Sequence, residues 1–456
     1  NIYVLYIITI MSSNTAPSTN AYLHITPSNV LSTGKVSFKN GNPVIQFLVS
    51  PQNRYLIGSS VRLSGNIKFY DSADTLSVAG NNLSINSRLG IYGMIDQLTL
   101  KAGSGPATGQ TLESIRHYNR MMSSYLTATS GFQDSQGSLQ ETSLTLTNYN
   151  LQNEAVTYQN STEGNSFCIP LPCGMFNGQN PVPLWMTGGI LIEISLSPDN
   201  NFLFAGAGVT TNITEAYYEL SDLNILCETM DPPQKILSAI GSGAPMTFNY
   251  NSIHSYFTTI NSTNAVVNFN LNLKNVLGVF GNFIEASKIN NLSADSMSTI
   301  NPTNKTPAGV VTSAKVTKII WTRGGTKFPY AYDQNMTQKY NSKNNFVDPQ
   351  ITRGYLDAVT QFAGTPGRQQ LTPINTFYDN EEQQLDTQQV AFLSGQAFGI
   401  GVALDQISDQ GVDYSQTPFG INMNLDLVTN NPVALFMYAH ARMTIILSKG
   451  SLQILS

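Results

Sequence analysis

The sequence predicts an all-β protein made of two tandem antiparallel sandwiches, on three observations. Gly189 opens a run in which Ile190, Ile192, Ile194 and Leu196 alternate with Leu191, Glu193 and Ser195, the period-two pattern of a strand with one face in a core. The alternation returns 231 residues later, where Gly420 precedes Ile421, Met423, Leu425 and Leu427 with Asn422, Asn424 and Asp426 between them. Flanking sequence repeats as well: Ser197-Pro198-Asp199-Asn200 and Thr429-Asn430-Asn431-Pro432 each lead through a short apolar run to a Tyr-led strand, at 217–227 and 438–447. A period this long is a copied domain, not a solenoid repeat. The third observation is length, since 456 residues accommodate two sandwiches of about 200 residues each.

Taken in order, residues 1–39 read as an N-terminal arm. Its first nine apolar residues, 2–10, are too few to span a bilayer and lack a preceding basic residue, and Met11 is read as the biological start with 1–10 upstream of it. Strands are expected at 44–49 and 61–70, with a bulge at Gly65, then a loop over 71–86 and a long strand over 91–101. Leu112, Ile115, Tyr118, Met122 and Tyr125 recur at three and four, which predicts a helix over 111–126. Residues 127–166 are rich in Ser, Thr, Gln and Asn and read as a long excursion with one strand at 143–148. After the strands at 167–171, 190–196 and 217–230, Pro232-Pro233 stops the ladder and 234–240 forms a short helix. The first sandwich is therefore placed at 40–230, a linker at 231–246 and the second sandwich at 247–456. Its strands are expected at 255–259, 265–273, 316–321, 389–404, 419–428, 433–447 and 451–455, with a helix at 351–362.

The run Ile169-Pro170-Leu171-Pro172, the turn Pro181-Val182-Pro183-Leu184-Trp185 and Gly189 before its strand resemble the first jelly roll of double jelly-roll major capsid proteins of eukaryotic double-stranded DNA viruses. The likeness is nearest to those of polinton-like viruses and virophages. Ile91-Tyr92-Gly93-Met94-Ile95-Asp96-Gln97-Leu98, followed by Glu113 to Arg120, resembles that family's strand and following helix, and the likeness extends over residues 40–450. It implies two tandem eight-stranded antiparallel jelly rolls, with short helices in the loops. It also implies homotrimeric, pseudo-hexagonal capsomers that tile an icosahedral shell. The implied partners are further copies of the chain, penton proteins and minor capsid proteins; contact with an internal membrane stays open.

Composition agrees with a surface made to meet other copies. Charged residues are 11% of the chain, against about 25% in ordinary soluble proteins. Ser, Thr, Asn and Gln must then carry solubility, and an amide is cheaper to desolvate than a charge. The net charge is −5 and no basic arm is present, so direct nucleic-acid binding is not expected.

Residues for chemistry are sparse. His24, His117, His254 and His440 lack metal-ligand spacing, and Cys168, Cys173 and Cys227 fit neither a zinc site nor a disulfide framework, so reduced thiols in a cytoplasmic or nuclear assembly site are expected. Gly34-Lys35 and Gly206-Ala207-Gly208 lack the glycines of phosphate loops, and no GxSxG occurs. Glu381-Glu382 reads as a solvated pair, with a weak cation site as its alternative. The sequons at Asn160, Asn212 and Asn261 are those an Asn-, Ser- and Thr-rich chain makes by chance. No catalytic, cofactor-binding or metal residue is therefore assigned, and no cofactor. The expected role is a non-enzymatic capsid subunit located in the virion. The alternatives are a double jelly-roll scaffold of immature virions and a secreted carbohydrate-binding β-sandwich.

Overall fold

The structure, a computed structural model, describes residues 20–455 apart from 130–154, 158–163, 301–314, 336–353 (with 356, 360 and 361), 363–398 and shorter breaks. The first half contains β1 (Asn20–Ile25), β2 (Val44–Val49), β3 (Tyr55–Tyr70), β4 (Leu83–Asn86), β5 (Ile95–Ala102), β6 (Thr111–Arg116), β7 (Ala155–Thr157), β8 (Asn165–Pro170), β9 (Val182–Pro183), β10 (Ile190–Leu196), β11 (Phe204–Ala205) and β12 (Tyr217–Met230). Its helices are α1 (Tyr118–Thr129), α2 (Leu184–Thr187) and α3 (Asp199–Phe202), and α4 (Gln234–Gly241) leads into the second half. There follow β13 (Met246–Ile260), β14 (Asn264–Phe269), β15 (Val276–Glu285), β16 (Lys315–Arg323), β17 (Thr326–Lys327), β18 (Gln334–Asn335), β19 (Gly399–Ala403), β20 (Phe419–Asp426), β21 (Val433–Ser448) and β22 (Ser451–Leu455).

Each half stacks two sheets. In the first, the orders are β1-β12-β3-β8 and β2-β10-β5-β6; in the second, β13-β21-β15-β19 and β14-β20-β16-β17, with β18 also on β16. Taken along the chain, the halves visit their sheets in the same sequence, so β1 corresponds to β13, β2 to β14, β3 to β15, β5 to β16, β8 to β19, β10 to β20 and β12 to β21. The two repeats legible in the sequence are the pairs β10 with β20 and β12 with β21. Ile190, Ile192 and Ile194 are fully buried and stand opposite Val49, Phe47 and Ile45 on one side and Ala102, Leu100 and Leu98 on the other. Burying each such side chain contributes about 1.5–3 kcal/mol. The inner sheets do not stop at the boundary between halves. β6 of the first pairs in parallel with β13 of the second, which fuses β2-β10-β5-β6 and β13-β21-β15-β19 into one nine-stranded sheet that includes β22.

Several local expectations are corrected. The arm of 1–39 contains β1, whose six residues pair in register with Met230 back to Ile225, so the first sandwich starts at Asn20 and not at 40. Too short to stand out, β1 is recognisable only through its partner. The strand expected from 91 begins at Ile95, because 90–94 coil into a buried 3-10 turn. The helix expected over 111–126 begins at Tyr118. Leu112 and Ile115 belong to a strand on β5, and His117, at φ 53°, turns the chain out of the ladder. β4 occupies part of the loop expected over 71–86. The bulge expected at Gly65 lies in the partner strand instead: opposite Gly65 the β3–β12 register breaks at Asp222, which takes φ 53°, and a Cβ added to Gly65 would lie 2.8 Å from Leu223 Cδ2. Described residues between 354 and 362 are helical, while 143–148 and 389–398 lie outside the described residues.

The turn into β10 depends on glycine. Gly188 and Gly189 have φ 63° and 85°, and a Cβ on Gly189 would sit 2.3 Å from Val49 O. Gly189→Ala is expected to destabilise the chain by about 2–3 kcal/mol, the cost of a strained backbone with a buried clash, read as a lower midpoint in urea unfolding; an unchanged midpoint would contradict the assigned turn.

Candidate functional site

The residues that sequence reading singled out for chemistry are not assembled. His24 lies on β1, and His117 sits at the end of β6 with Nδ1 3.4 Å from Asp96. His254 and His440 lie on the adjacent strands β13 and β21, but His440 stands opposite Ile253, so the two imidazoles leave opposite faces of the sheet. Among the described residues no group of His, Cys, Asp and Glu could hold a metal ion, and Cys168, Cys173 and Cys227 are free thiols. Lys35 pairs with Glu219 at 2.8 Å. Glu381-Glu382 and Gly206-Ala207-Gly208 lie outside the described residues.

What the structure does concentrate is buried polar chemistry between the sandwiches. The β6–β13 ladder has one backbone register pair, Ser114 with His254, and side chains make up the rest. Glu113, in β6, is buried, and its carboxylate accepts three backbone N–H groups: Gly174 at 2.9 Å, Met175 at 2.9 Å and Ile253 at 2.7 Å. One residue thereby ties β6, the turn after β8 and β13. Beside it, Tyr250 donates to Leu112 O at 2.7 Å and Arg116 N donates to Ser255 Oγ at 3.0 Å. Gly174 fits because it lacks a side chain, since an added Cβ would lie 2.4 Å from Asn251 O. Burial pushes the Glu113 carboxyl up to about 7, while the three N–H donors oppose that shift.

A second cluster runs along α1. Arg120 is buried and donates to Asn201 Oδ1 at 2.8 Å and to Ser296 O, with its guanidinium over the Phe436 ring. Burial lowers its pKa to about 10, so it remains a cation at neutral pH. Half-buried Asp295 accepts from Met297 N at 2.9 Å and Asn86 Nδ2 at 2.6 Å, and its charge supports that of Arg120. Groups from the second half meet the same helix: Asn282 Nδ2 donates to Arg120 O, Tyr355 to Ser124 O and Tyr438 to His117 O, at 2.8, 2.9 and 2.7 Å. The arrangement fixes one sandwich against the other. Sequence reading missed it. A single Glu in a strand and a single Arg in a helix carry no spacing signal; only the apolar neighbours Leu112 and Ile115 hinted that this segment is buried.

No family model and no curated protein matches the chain. Solved structures do. The PBCV-1 capsid protein VP54, as fitted into a reconstruction of the virophage Sputnik, superposes with TM-score 0.56 at 11% identity, covering 97% of this chain and 98% of that one. The chain has the double jelly-roll fold. The Faustovirus major capsid protein matches with TM-score 0.55 at 9% identity over 96% of this chain and 92% of its own, and the Sputnik virophage structure with 0.51 at 11% over 97% and 90%. At these identities the likeness is one of fold, and in this double jelly roll it spans both halves and the junction.

Removing the Glu113 carboxylate strands three buried N–H donors, so Glu113→Ala is expected to cost about 3 kcal/mol or more. The carboxyl is raised from 4.5 to about 7, so the stability linked to it is complete below pH 4.5 and is lost as pH rises through 7. Glu113→Gln should therefore flatten the stability profile across that window in denaturant titrations, and a slope equal to that of the unaltered chain would refute the assignment. His254 and His440 act in the opposite sense. Burial lowers them from 6.5 to about 4 and about 3, so their contribution is complete above pH 6.5 and lost as pH falls. His440→Phe, which keeps an aromatic edge on Phe362, should move the acid-unfolding midpoint to lower pH; a midpoint that stays or rises would contradict this.

Proposed function

We propose that the chain is the major capsid protein of a double-stranded DNA virus of the polinton-like or virophage type, and that its trimers are pseudo-hexagonal capsomers of an icosahedral shell. One observation carries the reading: the two halves repeat one strand order and share a continuous nine-stranded sheet, which makes the chain a rigid pair of similar wedges. Three such pairs around a three-fold axis give six similar units and a six-sided outline suited to tiling. A coat of this kind needs no covalent step; its work is association. The low charge content supports that reading, because the surface loses little on desolvation. The fold likeness to VP54, Faustovirus and Sputnik capsid structures supports it independently. Residence in the virion, assembly in the host cytoplasm or nucleus, and contacts with penton and minor capsid proteins belong to the same proposal.

Native mass spectrometry of the purified recombinant chain tests it. The expected result is a trimer, seen by electron microscopy as a particle with a six-sided outline, and the chain should dominate a stained gel of purified virions. A monomer at micromolar concentration that binds glycans would contradict it.

A further inference from the structure

The junction inside the chain contains information about the junction between chains. We infer that the free edge of β1 in one copy receives the β17–β18 edge of the next, repeating between chains the β6–β13 contact made within each. This rests on the trimer proposed above and specifies which surfaces meet.

The argument starts from correspondence. β13 lies between β21 and β6. Its counterpart β1 lies beside β12, the counterpart of β21, and among the described residues no strand pairs with its other side. In the second half the place that β6 holds beside β5 is held, beside β16, by β17 and β18. The chain therefore carries one used junction, β6 on β13, and the two halves of an unused one, at β1 and at β17–β18. A head-to-tail contact of this kind cannot be satisfied within one copy and closes into a ring only with others. The shortness of β17 and β18 is no obstacle. The internal junction itself has one backbone register pair and is completed by side chains.

Chemistry supports the same edge. β1 reads Asn-Ala-Tyr-Leu-His-Ile, without the Lys, Glu or Pro by which exposed edges are normally blunted. Tyr22 is 82% exposed there. The outer edge of β2 is treated differently, because the chain covers it: Ser28 N donates to Gln46 O, and Asn29 bonds both Gln46 N and Val44 O. Another uncharged edge is bare among the described residues, β14, with Val266 69% exposed. It is the counterpart of β2, has no partner under repetition of the junction, and serves as the control.

The test uses the full chain. Tyr22→Asp should raise the concentration at which the trimer dissociates by about tenfold or more, whereas Val266→Asp should leave it unchanged, with circular dichroism melts of both close to those of the unaltered chain. A chain bearing Tyr22→Cys and Thr326→Cys, treated with a short bismaleimide, should give covalent dimers and trimers that neither single variant gives. A trimer that tolerates Tyr22→Asp, breaks with Val266→Asp or yields no double-variant cross-links overturns the inference and leaves the capsid reading standing. An unaltered chain that remains monomeric overturns both.

Discussion

The fold depends on a buried carboxylate. Glu113 satisfies three backbone N–H groups, two from the turn after β8 and one from β13, at the one place among the described residues where strands of the two halves run side by side. Parallel pairing there is too short to hold two sandwiches by ladder bonds. The bonds that Glu113 accepts are buried, where leaving a donor unpaired is expensive. Arg120 does the complementary work on the following helix, as a buried cation with carbonyl and amide acceptors. The halves are thereby joined as one continuous sheet with a helix across it, and the angle between them is set by bonds that solvent cannot replace.

That rigidity is what the proposed capsomer requires. If the two sandwiches could hinge, a ring of three copies would have no fixed outline, and edges on neighbouring rings would not meet in register. Directional buried bonds resist such hinging better than apolar packing, which tolerates sliding and repacking. The polar, weakly charged exterior serves the opposite need. In the proposed assembly it would cost little when a neighbour covers it.

Much of this was legible in the sequence, and the failures have physical reasons. Ile190 to Leu196 and Ile421 to Leu427 announced equivalent strands because each has one face against a core, and Gly188-Gly189 announced the turn before the first because no other residue type takes its backbone so cheaply. The segment around Glu113 misled because Leu112, Ile115 and Tyr118 keep helical spacing across a strand, a left-handed residue and the first turn of a helix. β1 was hidden by its brevity. Glu113 and Arg120 themselves were invisible, since their significance lies in three-dimensional neighbours 60 to 180 residues away, Met175, Ile253 and Ser296 among them.

Hydrogen exchange at the amides of Gly174, Met175 and Ile253 tests the central claim most directly, because these are the groups that Glu113 holds. If the junction joins the sandwiches into one unit, the three should exchange as slowly as amides in the centres of β10 and β21, by global unfolding alone. Exchange at the rate of exposed loops, with β10 and β21 still protected, would mean that the halves separate while each stays folded, and the account would fail.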